Sequence, residues 1–432
     1  MRKMIVTILI LSLSALPAWG AKRARSQEDL CTQPHQDVST PLNDLGAAEY
    51  IRMGGQNTGF SGGLYPQGSN QRPPEHEAAG VRLGHQITPL DASGNPNLQN
   101  GEIVMLSIGV SNTFTEFEAF GRLINVDPQV NPRLTLINGA QHGRTSDMWI
   151  DPAAETWQEV LRRVAAAAIT PQQVQVAWIK HTRLGHDYFP TTSQTLQSDL
   201  EAVVRILKTY FPNLKIAYLS SRTRSHQVFD MLAMEPHAFE TGFAVKWLIE
   251  KQINGDPTLN YDPSRGEVVA PYLSWGPYLW IDGLNPRSDG RIWRPEDLYV
   301  DCVHPSQSGA AKVADMLMEF FKNDTTTRPW FLADQAPEPT SVQLFLPSVT
   351  TVHPAPPQYT PQPSPLPLQP AGTTLAPRAT TASSELAVSS ETVVPSETAA
   401  ASKPAAPPPA VCGVSGALTA LVLAGIIYWR KC

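Results

Sequence analysis

The chain has no surplus of positive charge. Its 33 Lys and Arg stand against 39 Asp and Glu, a formal net charge of -6, and the basic residues are mixed along the sequence rather than gathered into a stripe, which sets nucleic acid aside as a partner. Cysteine is scarce: Cys31, Cys302, Cys412 and Cys432 are the four in 432 residues. An ordered set of metal ligands is also missing. His181, His186 and Asp187 lie close together, but no H-E-x-x-H or comparable spacing organises them, so no metal site is expected. Long apolar runs occur only near the two ends.

The first of these runs belongs to an expected signal peptide over residues 1–20. Arg2 and Lys3 precede an apolar stretch at 5–16, and Ala18-Trp19-Gly20 supplies the small-residue cleavage pattern before Ala21. The second run, residues 413–429, is uncharged and is followed at once by Arg430-Lys431-Cys432. It reads as a short transmembrane helix, spanning roughly 25 Å, with its positive end in the cytoplasm. The same order resembles tripartite C-terminal sorting signals cut around Cys412-Gly413. Between them lies a tract, residues 331–411, rich in Pro, Thr, Ser and Ala and holding about 17 of the 40 prolines. Such a composition favours an extended stalk. The expected layout is therefore a leader (1–20), an N-terminal arm (21–45), a globular domain (46–330), the stalk (331–411) and a membrane or sorting segment (412–432), with the domain outside the cytoplasm. Export permits a Cys31–Cys302 disulfide; the other reading of Cys302 is a small buried residue.

Within the globular part, residues 50–70 carry glycines 54, 55, 59, 62, 63 and 68 and read as ordered loop. Gly59-Phe60-Ser61-Gly62-Gly63 matches the nucleophile-elbow pattern, but that motif needs a strand before it and a helix after it. A loop bordering the substrate cleft is expected instead. From Glu102 onward, strand-like and helix-like segments alternate. Strands are expected at 103–108, 133–137, 174–179, 214–219 and 267–270, with helices at 114–123, 153–168, 196–210, 238–253 and 310–321. This alternation predicts a parallel sheet covered on both faces.

The reactive residues follow that pattern. In Tyr299-Val300-Asp301-Cys302-Val303-His304-Pro305 an acid stands three residues before a histidine, so it can accept a hydrogen bond from Nδ1–H and leave Nε2 as a base. Capping of the following helix is the alternative use of the same pair. Ser111 follows the first strand in Gly109-Val110-Ser111-Asn112, where a sharp turn would raise its hydroxyl beside helix N-terminal amides; a plain N-cap is again the alternative. Ser111, Gly143, Lys180, His181 and His304 all fall after the C-terminal ends of expected strands or in the closing loop, where open α/β sheets place their sites.

These blocks resemble the SGNH hydrolases, the GDSL esterase and lipase superfamily, over about 220 residues from Glu102 to Phe321. Gly109-Val110-Ser111-Asn112 is similar to the first block, with Val110 where the family has Asp. Asn138-Gly139-Ala140-Gln141-His142-Gly143 is similar to the second, and Asp301-Cys302-Val303-His304-Pro305 matches the last in full. The third block departs: the family's Gly-x-Asn-Asp is replaced by Lys180-His181-Thr182-Arg183. The resemblance implies a flavodoxin-like three-layer α/β/α sandwich with a parallel five-stranded sheet, a Ser111, His304 and Asp301 triad, an oxyanion hole from the Ser111 and Gly143 amides, and no cofactor. Either Lys180 or His181 replaces the missing asparagine or that donor is lost; a surface lysine at a strand end is the other reading of Lys180. The aromatic loop with Tyr272, Trp275, Tyr278, Trp280 and Trp293 either stacks substrate or is simply packed. The implied activity is hydrolysis of acyl esters, including acetylated carbohydrate or other small esters; an inactive glycan-binding module and an acyltransferase using the same serine are the alternatives.

Overall fold

The computed structural model of the protein describes residue 31 and residues 39–184, 188–225 and 235–333. The expected leader, nearly all of the stalk, the segment 412–432 and the pair His186 and Asp187 lie outside them. Among the described residues no helix is long and apolar enough to cross a membrane.

In chain order the elements begin with α1 (Leu42–Leu45), β1 (Glu49–Arg52), β2 (Gln56–Ser61) and α2 (Pro74–His85). Next come β3 (Ile103–Gly109), α3 (Ser111–Ile124), β4 (Leu134–Asn138), α4 (Glu155–Ala166), β5 (Val174–Lys180) and α5 (Thr191–Tyr210). The last are β6 (Ile216–Leu219), α6 (His237–Ile253), β7 (Tyr272–Trp275), α7 (Gln307–Asn323) and α8 (Arg328–Phe331). Strands β3 to β7 form one parallel sheet in the order β4-β3-β5-β6-β7. That is the flavodoxin-like order, in which the chain steps outward on one side of the first strand and then on the other.

Every residue of β3, β5, β6 and β7 is buried, which explains why these strands read as near-continuous apolar runs rather than as alternating ones. The alternation survives in what each side chain meets. Val104, Leu106 and Ile108 join Trp157, Val203, Leu207 and Phe243 from α4, α5 and α6 on one face. Ile103, Met105, Val176 and Trp178 meet Phe117, Phe120, Val313 and Leu317 from α3 and α7 on the other. The result is the expected three layers.

Four expectations are corrected. The fifth strand is not at 267–270 but at β7, because the Val269 and Ala270 amides both turn to the Asn260 carbonyl and Pro271 has no N–H to offer a ladder. The glycine-rich stretch is not all loop: β1 and β2 pair as an antiparallel hairpin, and Gly54 and Gly55 at φ 93° and 86° supply the backbone its turn requires. Residues 59–63 do not border the site either. Lys246 Nζ donates to the Ser61 and Gly62 carbonyls at 2.8 and 2.6 Å, and Phe60 packs on Phe189, Phe243 and Trp247, which fastens this segment to α6. The folded unit also extends beyond 46–330, since Leu42 and Phe331 are fully buried.

As the edge strand, β7 would expose unpaired backbone groups to a passing chain. Side chains occupy them instead. Gln252 Oε1 accepts from Leu273 N (2.7 Å), His76 Nε2 bonds Leu273 O (2.8 Å), and Tyr65 OH accepts from Trp275 N (3.2 Å). His76 stacks on Tyr272, and burial holds its pKa down to about 4, so it serves as a neutral donor.

Candidate active site

At the end of β3 the chain passes through Gly109 and the extended Val110 into Ser111, the first residue of α3. A Cβ on Gly109 would stand 2.2 Å from Lys180 O and 2.4 Å from Thr113 Oγ1, so only glycine lets this turn lie so close to β5. Thr113 Oγ1 donates to Lys180 O at 2.7 Å and stitches the two strand ends together. The amide of Ser111, at the N-terminus of α3, has no acceptor within its own helix.

The loop before α7 brings the other half. Ser111 Oγ lies 2.8 Å from His304 Nε2, and His304 Nδ1 lies 2.6 Å from Asp301 Oδ2. Asp301 Oδ1 accepts from the Val303 and His304 amides, both at 3.0 Å. Partial burial pushes the Asp301 carboxyl upward, but those two amides and the imidazole outweigh it, and the net shift is below the ordinary value. An ionised Asp301 can only accept, so Nδ1 carries the proton and Nε2 faces the serine hydroxyl as a base. The three residues expected to form the triad are thus assembled. Cys302, between the acid and the base, has φ 59° and forms the disulfide with Cys31. Asn112 Nδ2 donates to Val303 O at 2.9 Å, which ties α3 to the same loop.

Around Ser111 lies a pocket of about 80 Å³ that includes Gly143, Thr145, Thr182 and Arg222 in its lining. Gly143 adopts φ 70° with open space where a side chain would project. The turn there is closed one residue later, by Arg144 N to Gln141 O, which leaves the Gly143 amide outside it. Ser111 and Gly143 both line the pocket.

The other expected donors do not reach it. Lys180 is fully buried, and its Nζ lies 2.5 and 2.6 Å from the two carboxylate oxygens of Glu116. Burial lowers its pKa to about 8 against the pull of Glu116, and the same burial raises the Glu116 carboxyl. The ammonium is consumed by this ion pair beneath α3. His181 is buried edge-on against Trp149, with ring centroids 5.5 Å apart. Its two nitrogens meet no partner among the described residues, and burial lowers it to about 3, so it is neutral and away from the pocket.

The aromatic loop is packed as well. Trp275, Tyr278, Trp280 and Trp293 are all buried. Each indole N–H has an internal acceptor: Leu64 O at 2.6 Å, Glu235 Oε1 at 2.9 Å and Leu279 O at 3.1 Å for Trp275, Trp280 and Trp293. Tyr278 OH accepts from Leu42 N at 3.0 Å. They stack no substrate at Ser111.

Sequence reasoning missed Arg222, Thr182 and Thr145. Arg222 stands three residues beyond the end of β6, on the same sheet edge as Ser111 and Gly143, and that position was its one signal.

No family model and no curated protein matches the sequence. Among solved structures, a candidate SGNH hydrolase of Slackia heliotrinireducens is similar at 14% identity and a TM-score of 0.29, covering 51% of this chain and 99% of that one. The C-terminal catalytic domain of a Streptococcus pneumoniae peptidoglycan O-acetyltransferase is similar at 12% identity and a TM-score of 0.26, covering 51% and 93%. The periplasmic domain of a Salmonella Paratyphi A lipopolysaccharide acetyltransferase is similar at 10% identity and a TM-score of 0.30, covering 57% and 94%. These neighbours are a hydrolase and acetyltransferases at low identity; the fold and the site of this chain rest on its own strand order and geometry.

Proposed function

We propose that the chain is a serine-dependent acyl-ester hydrolase, exported and held at the cell surface by its C-terminal segment, acting on short acyl groups of carbohydrates or other small esters. The observation that carries this is the continuous Ser111–His304–Asp301 chain of hydrogen bonds, at 2.8 and 2.6 Å, opening on a pocket that also contains Gly143. Ser111 Oγ attacks the carbonyl carbon while its proton passes to His304 Nε2. Asp301 holds the resulting imidazolium, and the Ser111 and Gly143 amides hold the oxyanion. His304 then returns the proton to the departing alkoxide, leaving the acyl group on Ser111. Water repeats the sequence: it loses a proton to His304, attacks the acyl carbon and frees the acid and the serine.

A pocket near 80 Å³ at Ser111 suits an acetyl-sized group. The His304 and Asp301 side chains are 43% and 42% exposed, so water reaches the base; transfer to a sugar hydroxyl through the same serine is the second reading. The location rests on residues 1–20 and 412–432 of the sequence; intact mass of the mature protein checks the anchor through retention of Cys432, and a chain ending near Cys412 removes the transmembrane anchor while leaving the surface location standing. For the activity, a fluorophosphonate probe is expected to label the wild type at Ser111, with Ser111→Ala and His304→Ala both losing labelling and turnover of p-nitrophenyl acetate. Equal labelling of the three forms removes the triad and favours a glycan-binding module.

A further inference from the structure

We infer that Val110 and Val303 set the length of the acyl group this site accepts, forming the wall against which its alkyl end rests. The inference rests on the acyl-ester reading above and deepens it.

Three observations lead there. The first is the chemistry of the lining. Among the described residues that border the pocket, Val110 and Val303 are the two whose side chains are wholly apolar, while Asn112, Thr145, Asp301 and His304 all bring polar atoms to it. The alkyl end of an acyl group leaves water most favourably against apolar side chains and gains nothing beside polar ones. It therefore goes to the two valines.

The second observation is position. Val110 directly precedes the nucleophile and Val303 directly precedes the base, so each adjoins one partner of the 2.8 Å hydrogen bond between Ser111 Oγ and His304 Nε2. An acyl carbon bonded to Ser111 Oγ starts beside both. With about 80 Å³ around it, each added methylene soon meets this wall.

The third is rigidity. Val110 O accepts from Phe114 N at 3.0 Å. Val303 N donates to Asp301 Oδ1 at 3.0 Å, and Val303 O accepts from Asn112 Nδ2 at 2.9 Å. The Asn112 bond also fastens the stretch carrying one valine to the stretch carrying the other, and Cys302, just before Val303, is held by the disulfide to Cys31. The valines are 5% and 7% exposed, and a β-branched side chain is stiff about χ1. The wall neither swings aside nor recedes, and pressing extra methylenes into filled space is unfavourable.

The test compares Val110→Ala, Val303→Ala and Val303→Ile with wild type on p-nitrophenyl acetate, propionate and butyrate, each kcat/KM divided by the rate of the same ester with hydroxide. The ratio between esters is what is read, so the fraction of folded enzyme cancels. One methylene in a hydrophobic pocket is worth about 10- to 200-fold, so the two that separate butyrate from acetate are expected to give wild type a preference for acetate of at least about 100-fold. Each alanine variant is expected to lower that preference at least about tenfold, and Val303→Ile to raise the acetate-to-propionate ratio at least about threefold. An acetate-to-butyrate ratio within about threefold of wild type in either alanine variant overturns the inference, as does a wild type that takes butyrate as readily as acetate. So does a shift confined to the leaving group, read as p-nitrophenyl acetate against 4-methylumbelliferyl acetate, which puts the valines on the alcohol side. If an alanine variant shows no turnover, Val303→Ile decides, and an unchanged acetate-to-propionate ratio overturns the inference. Failure of the underlying reading is distinct: Ser111→Ala then turns over p-nitrophenyl acetate as wild type does.

Discussion

Replacing Lys180 by Met separates a structural ion pair from a catalytic donor. Lys180 and Glu116 are both fully buried and joined at 2.5 and 2.6 Å, so Lys180→Met strands a carboxylate in the interior beneath α3. A carboxylate in that position does not stay charged; it takes a proton. Holding Glu116 neutral at pH 7, against an ordinary value of 4.5, costs about 3.4 kcal/mol, which agrees with the roughly 3–5 kcal/mol found on breaking buried pairs. That is a large part of the 5–15 kcal/mol that ordinarily holds a domain together. The cost depends on pH with a definite sign. In the unfolded chain the same carboxyl takes its proton near 4.5, so the penalty shrinks to about 0.7 kcal/mol at pH 5. Urea denaturation of wild type and Lys180→Met at pH 7 and pH 5 measures both values. Lys180→Met/Glu116→Leu removes the two charges together and is expected to recover most of the lost stability, because a buried pair exchanged for apolar side chains is often neutral or better. It is also expected to keep kcat within a few-fold. A loss below 1 kcal/mol at pH 7, or a difference that does not shrink at pH 5, refutes the buried-pair argument. A tenfold fall in kcat in a fully stable double variant returns Lys180 to the oxyanion hole.

Two further outcomes follow from other parts of the structure. Burial lowers His76 from 6.5 to about 4, so between those values the unfolded chain binds the proton and the folded chain resists it. Stability is therefore expected to fall as pH drops through that window, by about 3 kcal/mol from this residue, and His76→Gln, which keeps a donor for Leu273 O, is expected to flatten that part of a urea-derived stability curve. An unchanged slope assigns the effect elsewhere, His181 being the next candidate. The Cys31–Cys302 disulfide holds the residue between Asp301 and His304, so Cys31→Ser is expected to lower kcat by about tenfold through misplacement of the base, beyond any loss of stability. Full turnover per titrated site in that variant removes the disulfide from the alignment of the dyad.

What the sequence determined by itself was whatever depends on local pattern. Strands β3, β5 and β6 were visible because a parallel strand covered on both faces must be apolar throughout, and their order with the helices implied the sheet. Ser111, Asp301 and His304 were visible because each needs only its neighbours, a turn after a strand and an acid three residues from its base, whereas Gly143 was singled out by the resemblance of its block to the family's second block. The β1–β2 hairpin was obscured by glycines that serve two purposes, turn and loop, and β7 by a nearby apolar stretch whose amides bond Asn260 instead.

Tertiary structure decided what each polar and aromatic side chain meets. Nothing local distinguishes a lysine at a strand end that faces a pocket from one that faces Glu116 on the next helix, since the distance between residues 116 and 180 exists only after folding. The tryptophans beside the last loop offered area for stacking, but packing placed all of it inside. Arg222 entered the site for the converse reason: its length matters only once β6 lies two strands from Ser111, a spacing the sheet order creates and no stretch of sequence contains.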